Sequence, residues 1–130
     1  MLHSVIMPYL FLSSTDSLEY HPNNVSHDFT VELLQEMQGS FRIALCEIMF
    51  TSVTEDLYIF CDIAGQSQVK DELHPLLRIV SAPGEFSSLY FHKVSTPVFR
   101  RIRIYICNAD MKEPTVNIGD VRCTLLIDPI

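Results

Sequence analysis

Among the residues of this chain that could ligate a metal or supply a nucleophile are four cysteines, Cys46, Cys61, Cys107 and Cys123, and five histidines, His3, His21, His27, His74 and His92. A zinc site draws on ligands paired at short spacing, and neither residue type shows such pairs. Each cysteine sits inside an apolar stretch, so all four read as reduced, buried thiols behaving as small hydrophobes. The histidines fall mostly in turns and loops, where solvent or a local hydrogen bond satisfies them. A Ser-His-Asp triad has no nucleophile elbow of the G-x-S-x-G kind to sit on, and Gly39, Gly65, Gly84 and Gly119 form neither a P-loop nor G-x-G-x-x-G. Glu47 interrupts an apolar run but has no second acid at a matching position, so it reads as an outward or interface residue rather than a catalytic carboxylate. The sequence therefore predicts no catalytic set, no cofactor and no metal. The one basic concentration is Arg100, Arg101 and Arg103, with Arg101 and Arg103 on one strand face beside Tyr105. It reads as a solvated face, or as a salt-bridged contact with an acidic neighbouring subunit. Lacking interleaved aromatics beyond Tyr105, it does not read as a nucleic-acid groove.

The elements that must carry these side chains are strands. Residues 9–13 form a first apolar strand, and His21-Pro22-Asn23-Asn24 is a strong turn, because Pro presets φ and Asn tolerates the left-handed region. Phe29, Val31 and Leu33 alternate with Thr30 and Glu32, a half-buried strand that residues 35–40 are expected to break. The one helical contender, residues 30–37, is short, and alternation accounts for its start. Further strands are expected over residues 41–51, 57–63, 76–80, 88–94, 99–107 and 121–127, with residues 64–75 an exposed loop. Eight strands without a long helix predict an all-β fold, an antiparallel β-sandwich of jelly-roll or related Greek-key type. One domain spans residues 9–130, and residues 1–8 form an N-terminal arm. Tyr58, Phe60 and Tyr90 fall opposite the inward rows and are candidates for a second buried surface such as a subunit interface.

Apolar residues make up 48% of the chain and charged residues 19%, below the roughly 25% of an ordinary soluble domain. Such a deficit implies surface removed from water by an oligomer or a docked partner. A net charge of −7 gives no global attraction to nucleic acid. The apolar start lacks the Lys/Arg of a signal peptide and is interrupted by Pro8. No stretch approaches the ~20 apolar residues of a membrane span. Synthesis inside the cell is expected, and the sequon Asn24-Val25-Ser26 would matter only on a secretory route.

Residues 11–50 carry the order Tyr20-His21-Pro22-Asn23-Asn24, then Phe29 to Leu33, then Gly39 to Phe41, then Ile43-Ala44-Leu45-Cys46-Glu47-Ile48. This order resembles the N-terminal region of a protein family encoded by adintoviruses and Maverick/Polinton elements of animal genomes. There an aromatic-Pro-Asn-Asn turn leads to an "F-x-x-x-L" strand and "E-V-A-L-x-E-I". A second block, Leu57-Tyr58-Ile59-Phe60-Cys61-Asp62-Ile63, Val69 and Pro75-Leu76-Leu77-Arg78-Ile79-Val80, is similar to the family's "LYVYCDL … V … PLLRIV". The tail, Phe99 to Ile106 and Asn117-Ile118-Gly119-Asp120-Val121, follows in the same order. The chain departs from the family at Phe41, where Trp is usual, and it lacks the long insertion after "E-I", which residues 51–56 replace.

The resemblance implies a virion-associated β protein, a small single-jelly-roll capsid component, penton-like or minor. Homo-oligomerisation as trimer or pentamer and contact with other capsid proteins in the virion would follow. Tyr58, Phe60, Tyr90, Arg101, Arg103 and Tyr105 are the expected interface residues. The alternative is a monomeric β-sandwich module that recognises a host protein or glycan through loops 64–75 and 108–119.

Overall fold

The structure is a computed structural model that describes residues 9–51 and 53–130; the expected N-terminal arm, residues 1–8, lies outside the described residues. The strands run β1 (Tyr9–Ser13), β2 (Asp28–Gln38), β3 (Phe41–Met49), β4 (Leu57–Cys61), β5 (Ser67–Val69), β6 (Glu72–His74), β7 (Leu76–Val80), β8 (Gly84–Glu85), β9 (His92–Lys93), β10 (Val98–Cys107) and β11 (Arg122–Pro129). There is no helix among the described residues, and every pairing between these strands is antiparallel. One sheet has the order β1-β11-β3-β8, with β9 also pairing β3; the other has the order β2-β10-β4-β7. β5 and β6 form a separate hairpin. The result is an all-β sandwich.

Alternation builds the core. Leu10 and Leu12 of β1, Phe29, Val31 and Leu33 of β2, and Ile102, Ile104 and Ile106 of β10 all enter one buried cluster with Leu125 and Ile127 of β11. Phe41 and Phe99 meet edge to face at 6.1 Å between ring centres, joining the two sheets. Burying such rows yields roughly 25 cal/mol per Å2 of apolar area, the main force holding the sheets together.

Three departures from strict alternation shape the outer surfaces. On β3, Leu45 pairs with Leu125 and Glu47 with Thr124, which leaves Cys46 as the extra residue of a β-bulge. The bulge explains why Ile48 and Phe50 point inward beyond it, and it places Cys46 and Glu47 beside one groove on the outer face. On β2 the expected break at residue 35 does not occur, and the strand continues to Gln38. Leu33, Leu34, Gln35 and Glu36 there stand opposite Arg100 alone. On β7 the register slips opposite Ile59 and Phe60, so Leu77 and Val80 both turn inward.

Two further expectations are corrected. Residues 64–75 are not an open loop, because Ser67, Gln68 and Val69 pair with His74, Leu73 and Glu72 across a turn in which Lys70 and Asp71 both have positive φ. Residues 88–94 are not one strand. Only His92 and Lys93 pair with β3, and the preceding segment leaves the sheet. That segment is held from two sides. The Arg78 guanidinium lies between the rings of Phe86 and Tyr90, 3.9 and 4.1 Å from their centres, and donates to the Ser88 carbonyl at 2.6 Å. Arg42 lies 4.0 Å over Phe91 while pairing with Asp128 at 2.7 Å.

Candidate functional site

Five of the six expected interface residues come together on the outer face of the second sheet. Tyr58 and Phe60 lie on β4, and Arg101, Arg103 and Tyr105 lie on the adjacent β10. Antiparallel register aligns Asp28, Tyr105, Phe60 and Leu76 in one row across four strands, and Thr30 with Arg103 in the next. Arg103 is bound within the chain. Its Nε and Nη2 donate to both Asp28 carboxylate oxygens at 2.9 and 2.8 Å, and its guanidinium lies 4.6 Å over the Tyr105 ring. Its backbone N–H donates to Asp62 at 2.9 Å. The Asp28 hydrogen bond is the main reason its pKa is raised. Desolvation raises the pKa of Asp62, and the backbone hydrogen bond from Arg103 opposes the rise only in part. Tyr105 is likewise raised, chiefly by burial.

Phe60 is corrected. It faces outward as its strand parity requires, yet it is fully buried, because Tyr105 stacks on it at 4.9 Å and the His74 ring of the β5–β6 hairpin approaches to 5.7 Å. The chain itself covers this side chain, which leaves none of it for a neighbour. Tyr90 is elsewhere, in the segment between β8 and β9, half exposed and stacked on Arg78. Of the cysteines, Cys61 and Cys123 are buried as expected; Cys46 and Cys107 are only half-buried. Burial pushes the Cys123 thiol up to about 12 and Cys61 higher still, which keeps both protonated and unreactive at neutral pH.

Sequence reasoning passed over the outer face of the first sheet. Phe11, Thr124, Glu47 and Glu85 are aligned in one row across β1, β11, β3 and β8. Phe11 is 76% exposed and Tyr9 is 52% exposed, their ring centres 6.5 Å apart. The alternation of β1 contained the signal, since placing Leu10 and Leu12 inward sends Tyr9 and Phe11 outward.

The loops at the ends are tied down. The Asn24 side chain donates to the Asp16 and Thr30 carbonyls at 3.1 and 2.9 Å and accepts from the Thr30 N–H at 2.9 Å. Glu55 accepts from both the N–H and the hydroxyl of Thr115, which lowers its pKa. Between these loops lies a shallow groove of about 310 Å3 lined by Val25, His27, Pro114 and Val116 among others. Among the described residues no three His, Cys, Asp or Glu side chains gather as metal ligands. No helix of the described residues is long and apolar enough to cross a membrane. No family model, curated protein or solved structure matches the chain.

Proposed function

We propose that this chain is a structural virion protein, a small capsid component with a single jelly-roll domain, penton-like or minor. It acts by homo-oligomerising as a trimer or pentamer and by contacting other coat proteins. The strand order carries the reading. Eight main strands, counting β8 and β9 as one interrupted strand, lie in sheets ordered β1-β11-β3-β8 and β2-β10-β4-β7. Successive main strands cross from sheet to sheet except at β4 and β7, which are neighbours in one sheet, and the last returns beside the first, the wrapping expected of two Greek keys. The sequence resemblance to virion-associated proteins of adintoviruses and Maverick/Polinton elements supports the same role. So does the exposure of Phe11, Leu34 and Tyr9, apolar surface that assembly would remove from water.

A second reading, a monomeric module holding a host protein or glycan, is favoured by the groove between the anchored loops at Val25 and Pro114. Absolute mass in solution, measured by light scattering across a tenfold dilution, separates the two. A stable trimer or pentamer supports the virion protein. A chain that stays monomeric when concentrated overturns self-assembly and favours the module.

A further inference from the structure

We propose that the outer faces of the two sheets are the two halves of one head-to-tail contact: the aromatic, acidic face around Glu47 and Glu85 receives Arg100 and Arg101 of the next copy. This rests on the homo-oligomeric reading above.

The receiving face is a groove of about 510 Å3 lined by Tyr9, Phe11, Glu47, Glu85, Phe86 and Leu89 among others. Glu47 and Glu85 stand directly opposite each other on paired strands. Like charges in that position repel, at a Cβ separation of about 5 Å. Neither carboxylate has an ion-pair or hydrogen-bond partner among the described residues. A cation entering the groove would relieve this repulsion while covering the exposed rings of Tyr9 and Phe11. Arg122, exposed further along β11 opposite Met49, makes no ion pair among the described residues.

The entering face is the start of β10. The long bulge of β2 opposite Arg100 interrupts alternation, so Arg100 and Arg101 are both exposed, with Val98 half exposed beside them. Arg100 has no partner among the described residues. Arg101, its side chain 65% exposed, reaches among the described residues only Glu32 at 3.4 Å, a carboxylate that His21 already holds at 2.8 Å. Arg103, bound to Asp28, is not part of the contact.

Two unpaired carboxylates among aromatic rings thus match two adjacent guanidiniums beside an aliphatic side chain. Because the two patches lie on different sheets, the contact is not self-complementary. Repeated by a rotation that closes, it builds a ring rather than a twofold dimer.

The test is the mass of E47R/E85R, of R100E/R101E and of a chain carrying all four substitutions, with circular dichroism and melting as folding controls. Each reversal is expected to raise the dissociation constant at least tenfold, and the combined swap to restore assembly. Since Glu47 is half-buried, E85R alone serves if the pair misfolds. Assembly unaffected by both reversals overturns this contact and leaves the homo-oligomer standing, as does loss in both without recovery in the swap. A wild-type chain that never self-associates overturns the homo-oligomer itself and the contact with it.

Discussion

Asn24 shows how much one side chain can fix. It sits in the Pro-Asn-Asn turn, bonds to Asp16 and Thr30, and satisfies the outer edge of β2 at Thr30. Ser17 does the same for the Glu32 N–H at 2.9 Å. Together they occupy part of an edge strand that would otherwise invite pairing. Asn24→Ala removes all three bonds, and a loss of roughly 1–3 kcal/mol is expected, read as a lower midpoint in urea. The buried thiols make a pH prediction. Cys61 and Cys123 have pKa values raised by burial, Cys123 to about 12, whereas unfolded thiols ionise near 8.5. Below that value both states are protonated and the full stability is present. Above it only the unfolded state gives up protons, so stability falls as pH rises, by roughly 2 kcal/mol per thiol near pH 10. Urea melts of the wild type and of Cys123→Val at neutral and alkaline pH check this, since the variant should show a shallower alkaline decline.

At the scale of elements, the segment between β8 and β9 is held largely by Arg78, which stacks on two rings and binds a carbonyl. Arg78→Ala is expected to open residues 86–91 to proteolysis and hydrogen exchange while costing only about 1 kcal/mol globally, because cation–π contacts at exposed sites are individually small. Equal protection in both proteins would refute that role. Parity made most strands legible. The rows of Ile102, Ile104 and Ile106, or of Leu57, Ile59 and Cys61, follow from alternation alone. The bulges at Cys46 and opposite Arg100 were not legible, because a bulge is defined by the partner strand, which local sequence does not name. The cover over Phe60 was hidden for another reason. Residues 64–75 are polar and aperiodic, and their turn uses Lys70 at positive φ, where Gly or Asn would have announced a hairpin. The same blindness makes Phe60 look available, although alternation assigns its strand face correctly. The row from Phe11 to Glu85 is hidden for a different reason, since alternation on β1 sends Phe11 outward but only strand register brings Glu47 and Glu85 beside it.

The whole molecule presents two unlike outer faces, and a pair of phenylalanines distinguishes folding from assembly. Phe60, on the second sheet, is fully buried under Tyr105 and the β5–β6 hairpin. Phe11, on the first, is 76% exposed, its ring turned away from the core that Leu10 and Leu12 enter. Truncating a fully buried aromatic leaves a cavity and typically costs about 3–5 kcal/mol. Truncating one that is mostly exposed changes monomer stability by about 0.5 kcal/mol or less. If the first sheet's face is where copies meet, Phe11→Ala should melt like wild type yet weaken self-association, since an aromatic anchor buried at an interface is often among its strongest contributors. Phe60→Ala should melt earlier, and in conditions where it stays folded it should assemble with wild-type affinity. The opposite pattern, with Phe11→Ala assembling normally and folded Phe60→Ala failing to, would take the contact off the first sheet and return the ladder of Asp28, Arg103 and Tyr105 to candidacy as an interface.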